Sequence, residues 1–189
     1  MDDVRIIVER LLSEEELSPC ANSEDLLCAS RFGSPHRRAE FLAWRRIVRR
    51  ELGNGVRLEY SPVGAPVVAD EDIYIGVSHC RDAVAVIISP RRCAVDIEPL
   101  ARDFSKAVPR FVSDAERPLS DDGRLAAALW CAKETLYKYS GRRELDLLRD
   151  IRIEEVDFDR CRIVGRICGG TPTEMRMMFA YGCLIVYVG

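Results

Sequence analysis

Hydrophobic periodicity predicts two long helices in this chain. Ser34 and the proline after it are typical of an N-cap and first helical position, and an apolar stripe follows as far as Leu52. A Gly-Asn-Gly run then ends the first helix. A second helix is predicted over residues 124–139, with Asp121 or Asp122 as its cap and Gly141 at its end.

Runs rich in β-branched residues surround these helices. Residues 4–8 (VRIIV) form a plausible strand, and turn-forming residues break the stretch 58–98 into three or four predicted antiparallel strands. The stretch 151–188 alternates again. Each half of the chain has a tryptophan-bearing helix and an alternating strand, a turn and a buried strand. This similarity between the two halves suggests an internal duplication, and the alternative is two unrelated helix-plus-hairpin units.

Composition narrows the class of protein. The formal net charge of −3 argues against a general nucleic-acid binder, although residues 31–57 hold eight arginines against two glutamates. The eight cysteines form no CxxC pair, and we expect reduced thiols in a cytoplasmic protein. The N-terminal segment has no signal-peptide pattern. The longest apolar run, AVAVIIS, is far shorter than the roughly 20 residues of a spanning helix, so no membrane association is expected.

The stretch AVDIEPL, residues 94–100, places two acids in a predicted strand. Because strand side chains alternate, Asp96 and Glu98 share one face and are about 7 Å apart along the backbone. Mg²⁺ is usually held by one or two carboxylates together with water and phosphate oxygens. The pair is therefore a candidate metal site, and the alternative is a strand with one solvated polar face.

The second helix carries a matching set of side chains. Trp130, Glu134 and Lys138 are spaced i, i+4 and i+8, so they line one helix face, with Lys133 beside it. A glutamate and a lysine at this spacing also occur as an ordinary surface pair. The tryptophan favours a cleft wall that meets phosphate and metal.

Two further groups are candidate phosphate ligands. Arg37 and Arg45 border the apolar face of the first helix. At such a position an arginine either binds a phosphate through its guanidinium or packs its aliphatic part on the protein and leaves the guanidinium in solvent. Ser78 and His79 close a predicted strand just before a turn. These two residues are either local turn partners or hydrogen-bond donors to a phosphate.

Taken in order, these motifs resemble those of the 4′-phosphopantetheinyl transferases. The matching segments are RRAEFLAWR (37–45), GAP (64–66), SH (78–79), VDIE (95–98) and WCAKETLYK (130–138). Two positions depart from the family pattern: Ala94-Val95 replaces a glycine-containing pair, and the Gly-Ala-Pro turn lacks its usual basic neighbour. Arg57 or Arg81 is a possible substitute for that basic group.

The resemblance implies an α+β fold of two similar lobes related by pseudo-twofold symmetry, each with a long helix packed on antiparallel strands. The N-terminal lobe is expected to span residues 1–95 and the C-terminal lobe residues 96–189, with the active site between them. The larger members of the family are two-lobed pseudo-dimers, so we expect a monomer.

The resemblance also implies a reaction, in which phosphopantetheine moves from coenzyme A to a serine of an acyl or peptidyl carrier protein and 3′,5′-ADP leaves. Mg²⁺, or Mn²⁺ in its place, is the implied cofactor. Its implied ligands are Asp96, Glu98 and Glu134. Glu134 and Lys138 are the implied catalytic residues, with Glu134 the candidate base. The implied coenzyme A-binding residues are Arg37, Arg45, Ser78, His79, Lys133 and Lys138.

A loop before the second helix is the candidate docking surface for the carrier. Phe111 and Val112 would offer an apolar contact flanked by Arg110 and Arg117, unless Phe111 anchors the loop to the core. Two other functions compete with the transferase: a non-catalytic homologue that binds coenzyme A or a carrier, and another Mg²⁺-dependent phosphotransfer enzyme. No P-loop or kinase signature favours the second of these.

Overall fold

A computed structural model describes residues 4–189 as a mixture of helices and antiparallel sheets. The helices are α1 (Glu14–Leu17), α2 (Ser23–Ala29), α3 (Pro35–Leu52) and α4 (Leu125–Ser140). The first five strands are β1 (Arg5–Arg10), β2 (Leu58–Tyr60), β3 (Pro66–Val68), β4 (Tyr74–His79) and β5 (Ala83–Ser89). The last five are β6 (Ala94–Pro99), β7 (Ile151–Asp157), β8 (Arg162–Ile167), β9 (Thr173–Ala180) and β10 (Cys183–Val188). The predicted α+β class is confirmed.

Both long helices lie within one residue of their predicted bounds. The Ser34 side chain accepts a hydrogen bond from the backbone N–H of Arg37 and caps α3, which ends at Gly53. The N-cap residue of α4 is Arg124, and no side chain caps this helix, so the predicted capping by Asp121 or Asp122 was wrong. The Asp122 carboxylate instead accepts from the backbone N–H of Arg124, just before the helix. Gly141 ends α4 in the left-handed conformation, with φ of 66°, which a residue without a Cβ adopts without strain.

The strands form three sheets, with the orders β1-β5-β4, β6-β10-β9-β8-β7 and β2-β3. Between residues 58 and 99 the structure has five strands, so the expected three or four was wrong. The extra strand comes from the short β2-β3 hairpin, whose two three-residue strands carry little periodicity. Helices α1 and α2, which pack on α3, were also not predicted.

Side-chain alternation builds three cores in a layered arrangement. On β5, Val84 and Val86 face the core under α3, whereas Ala85 and Ile87 face a core shared with the second large sheet. Strand β10 alternates likewise between that shared core and the core under α4. The two large sheets therefore lie back to back between α3 and α4.

The two halves contain the same order of elements. In each, a first strand is followed by a long helix, a hairpin (β2-β3 or β7-β8) and a second hairpin (β4-β5 or β9-β10), whose last strand pairs with the first. The expected boundary between residues 95 and 96 falls inside β6. Across residues 4–189, no helix has the length and apolar character required to cross a membrane.

Candidate active site

A close approach between β4 and β6 brings the two halves together. A Cβ on Gly76 would lie only 3.1 Å from the Cα of Ala94, so this contact requires glycine. Two residues further along each strand, the Ser78 hydroxyl donates to Oδ1 of Asp96 at 2.8 Å. Residues two apart share a strand face, so the glycine contact fixes the distance between the serine and the aspartate.

Helix α4 adds an ammonium group to this junction. Nζ of Lys138 lies 2.8 Å from Oδ1 of Asp96 and 3.0 Å from the Ser78 hydroxyl, and it also donates to the Val95 carbonyl at 3.1 Å. The other Asp96 oxygen, Oδ2, is buried and has no hydrogen-bond partner among the described residues. A buried carboxylate oxygen without a donor is costly, which makes Oδ2 a candidate ligand atom for a cation.

Two glutamates flank this aspartate. Burial raises the pKa of Glu134, and the nearby Asp96 and Glu98 carboxylates raise it further. Burial and the Asp96 charge also raise the pKa of Glu98, against the hydrogen bond from Arg102. Asp96, Glu98 and Glu134 therefore form one electrostatic cluster, and a divalent cation would offset its negative charge.

The carboxylates of Asp96, Glu98 and Glu134 do not surround a common point where a cation would sit. Glu98 accepts a hydrogen bond from Arg102, whose guanidinium stacks over the rings of Phe104 and Trp130 at 4.7 and 4.8 Å. Within residues 4–189, no three His, Cys, Asp or Glu side chains are grouped so that they hold a metal ion. The carboxylate oxygens are donors of the kind that Mg²⁺ prefers. Arg102 competes with a cation for Glu98 in this arrangement.

A cavity of about 240 Å³ opens beside this cluster and is lined by both halves. Its walls include the Gly64–Pro66 turn and β4 on one side, and Lys138, Arg142 and Arg143 on the other. Arg143 donates to the backbone carbonyl of Pro62, next to the turn. The Gly64–Pro66 turn has no basic residue of its own. Arg142 and Arg143, which follow α4, supply positive charge next to it. Arg57, an expected substitute, instead pairs with Glu59 and Asp70.

The predicted phosphate ligands divide into two groups. His79 is half-buried, and its Nδ1 lies 3.1 Å from Oε1 of Glu40. Arg37 is largely exposed and donates to Oε2 of the same glutamate at 3.0 Å. Glu40 therefore brings Arg37, from the start of α3, to the end of β4 beside Ser78.

The structure does not place Arg45 in this group. Its side chain is 3% exposed, pairs with Asp25 at 2.6 Å and lies over the rings of Phe41 and Trp44. Burial would raise the pKa of Asp25, but hydrogen bonds from Arg49 and Arg45 lower it overall. Arg45 thus forms a buried ion pair with Asp25 and is not available to a phosphate, so its predicted phosphate contact was wrong.

Lys133 is likewise outside the cleft. It is fully buried, pairs with the fully buried Glu116 at 2.8 Å and donates to the Leu147 carbonyl at 2.9 Å. The helix turns by about 100° per residue, so Lys133 points away from the face of Glu134 and into the core of the C-terminal half. The predicted contact of Lys133 with the pyrophosphate was therefore wrong.

The apolar part of the expected docking surface is also internal. Phe111 is fully buried, with its ring centroid 5.0 Å from that of Trp130, and Val112 belongs to the same core. The aromatic packing explains why Trp130 occupies the cleft face of α4. Arg110 and Arg117 remain exposed, and Arg117 pairs with Asp114. Only the charged part of the proposed surface is accessible.

The sequence motifs did not predict two side chains at the site, Glu40 and Arg102. Glu40 lies within the segment RRAEFLAWR, but nothing in helical spacing links it to a histidine in a distant strand. Arg102 follows Glu98 by four residues, yet a turn separates them, so helical spacing does not predict their pairing. Both contacts depend on the tertiary structure.

Comparison with known proteins supports the motif analysis in the second half of the chain. No curated protein matches the sequence. A family model, described as the 4′-phosphopantetheinyl transferase superfamily, matches residues 92–175, which include β6 and α4 with all three carboxylates. Residues 92–175 are therefore similar to the 4′-phosphopantetheinyl transferase superfamily, a class of enzymes that transfer phosphopantetheine.

Proposed function

We propose that this protein transfers 4′-phosphopantetheine from coenzyme A to a serine hydroxyl of an apo carrier protein, acyl or peptidyl, and releases 3′,5′-ADP. The observation that carries the proposal is the electrostatic cluster of Asp96, Glu98 and Glu134, with Lys138 bound to Asp96, beside a cavity lined by both halves. The superfamily match over residues 92–175 supports the same chemistry.

In this proposal, Asp96, Glu98 and Glu134 hold Mg²⁺, or Mn²⁺ in its place. Oδ2 of Asp96, which has no hydrogen-bond partner within residues 4–189, and the pKa of Glu134, raised by burial and by repulsion from the other two carboxylates, support this assignment. When bound, the cation supplies neutralising charge to the pyrophosphate, as phosphoryl-group transfer requires.

The side chains of the chain supply the remaining chemistry. The carrier serine Oγ forms a bond to the β-phosphorus as the bond from that phosphorus to the bridging oxygen of 3′,5′-ADP breaks. Glu134 accepts the serine proton, directly or through a water molecule, and its raised pKa makes it a better base than an ordinary glutamate. Lys138 contributes its ammonium charge to the pyrophosphate oxygens.

Coenzyme A occupies the cavity between an N-terminal lobe, residues 1–95, and a C-terminal lobe, residues 96–189, of a monomer. Arg37 and His79 bind its 3′-phosphate, with Ser78 beside them. Three cations on one wall of the cavity, Lys138, Arg142 and Arg143, suit a ligand with several phosphates. We retain Arg110 and Arg117 as carrier-docking residues because both are exposed.

Intact-mass spectrometry tests this function. An apo carrier protein is incubated with the enzyme, coenzyme A and Mg²⁺, and parallel samples contain a chelator or no enzyme. The expected result is one added phosphopantetheine mass only in the complete reaction. A carrier that stays unmodified, across acyl and peptidyl carriers, while coenzyme A binds the protein would identify a non-catalytic binder and reject the transferase.

A further inference from the structure

A buried carboxylate lies behind the proposed 3′-phosphate ligands. The Glu40 side chain is 9% exposed, and its Oε1 lies 3.1 Å from both Nε2 of His36 and Nδ1 of His79. Its Oε2 accepts a hydrogen bond from Arg37 at 3.0 Å. One carboxylate thus links two histidines and an arginine across α3 and β4.

The contact with Glu40 determines what the other nitrogen of His79 can do. Because Nδ1 faces a carboxylate oxygen, it carries a hydrogen. A neutral imidazole has only one N–H group, so Nε2 of neutral His79 is a hydrogen-bond acceptor. A phosphate dianion also offers acceptors only. His79 can contact Glu40 and a phosphate together only as the doubly protonated imidazolium.

The surroundings keep His79 from carrying that second proton without a ligand. Burial lowers the pKa of His79, and the positive charge of Arg37, of Lys138 and of His36 lowers it further, against the opposing effect of Glu40. The open cavity that His79 lines also contains two acids and two arginines: Arg81, Asp82, Glu98 and Arg102. A bound dianion would add the negative charge that favours protonation.

We propose that the 3′-phosphate of coenzyme A binds together with one proton from solvent, taken up on Nε2 of His79, and that Glu40 positions the imidazole and stabilises its charge. The inference rests on the proposed function, since it assigns the 3′-phosphate to His79. Glu40 is a positioning residue here, because it acts through His79 and Arg37.

Calorimetry in buffers of different ionisation enthalpy measures the proton uptake directly. Coenzyme A and dephospho-coenzyme A are titrated into the full-length protein at neutral pH and the same Mg²⁺ concentration. We expect uptake approaching about one proton per coenzyme A, and essentially none with the dephospho ligand. Any proton lost by the 3′-phosphate itself has the opposite sign, so it cannot imitate this result.

Three variants assign the proton to its site. His79→Asn should abolish the uptake. Glu40→Gln should reduce it, because glutamine keeps an acceptor for Nδ1–H but loses the negative charge. His36→Asn is the matched control, since His36 contacts the same Glu40 oxygen from the exposed end of α3 and should leave the uptake intact. Circular dichroism confirms that each variant is folded.

The outcomes separate the inference from the proposed function. Both ligands binding the wild type with equal proton uptake would overturn the inference while leaving the transferase proposal in place. Uptake that persists in His79→Asn, or that disappears in His36→Asn, would also overturn it. Unchanged uptake in Glu40→Gln would remove Glu40 from the account. Failure of both ligands to bind would contradict the proposed function itself.

Discussion

Replacing Lys133 by methionine should destabilise the protein without impairing its chemistry. The substitution leaves the Glu116 carboxylate buried without its cation. Removing one partner of a buried ion pair typically costs about 3–5 kcal/mol. Glu116 keeps hydrogen bonds from the Ser113 backbone and hydroxyl and from the Ile153 backbone, all at 2.8 Å. These three donors still stabilise the anion, so we expect the lower end, about 3 kcal/mol.

That loss corresponds to a fall in melting temperature of about 6–12 °C for a chain of this length. Differential scanning calorimetry measures the fall, and the carrier-loading rate is measured well below the new transition. Because Lys133 is fully buried, that rate and the affinity for coenzyme A should stay near the wild-type values.

A second substitution tests the cause of the destabilisation. Combining Lys133→Met with Glu116→Gln removes both charges and should recover part of the lost stability, since an uncharged pair avoids the uncompensated buried ion. An unchanged melting temperature in Lys133→Met, with a tenfold lower loading rate, would refute this reasoning and return Lys133 to the pyrophosphate site.

Three further predictions concern the cleft and its surface. Glu134→Gln should lower turnover about 100-fold or more, yet raise the melting temperature at neutral pH. The folded-state pKa of Glu134 is raised, so its carboxylate destabilises the fold increasingly as pH rises, and the gain should shrink toward about pH 4. Arg102→Gln should lower the Mg²⁺ concentration for half-maximal rate by up to about fivefold, because the guanidinium competes for Glu98, whereas Arg102→Lys should change it less. Arg110→Glu combined with Arg117→Glu should raise the Michaelis constant for carrier but not for coenzyme A. Added salt should lower the wild-type rate at subsaturating carrier, since screening acts over about 8 Å.

The sequence predicted the parts of the fold that local patterns determine. Both long helices follow from an apolar stripe, whereas the contact between Asp96 and Lys138 depends on the tertiary structure. The two-residue period of β6 predicted that Asp96 and Glu98 share a strand face, and both influence the pKa of Glu134 on α4.

The wrong predictions concern side chains whose position depends on a partner that is distant in the sequence. Arg45 and Lys133 have plausible positions on their helices, but each is paired with an acid from a segment whose placement no local pattern reveals. Those acids are Asp25 in the short helix α2 and Glu116 in the loop before α4. The burial of Phe111 has the same origin, since its ring packs on Trp130 from that loop.

In the proposed function, carboxylates from β6 and α4 form one Mg²⁺-dependent transfer site. The most direct measurement is the rate of carrier loading, followed by intact mass, for wild type and for Asp96→Asn, Glu98→Gln and Glu134→Gln across a Mg²⁺ titration. All three folded variants are expected to lose most turnover. Asp96→Asn and Glu98→Gln should also require more Mg²⁺ for the activity that remains. Wild-type loading and Mg²⁺ dependence in any one variant would remove that residue from the site, and in all three would contradict a transfer site built on these carboxylates.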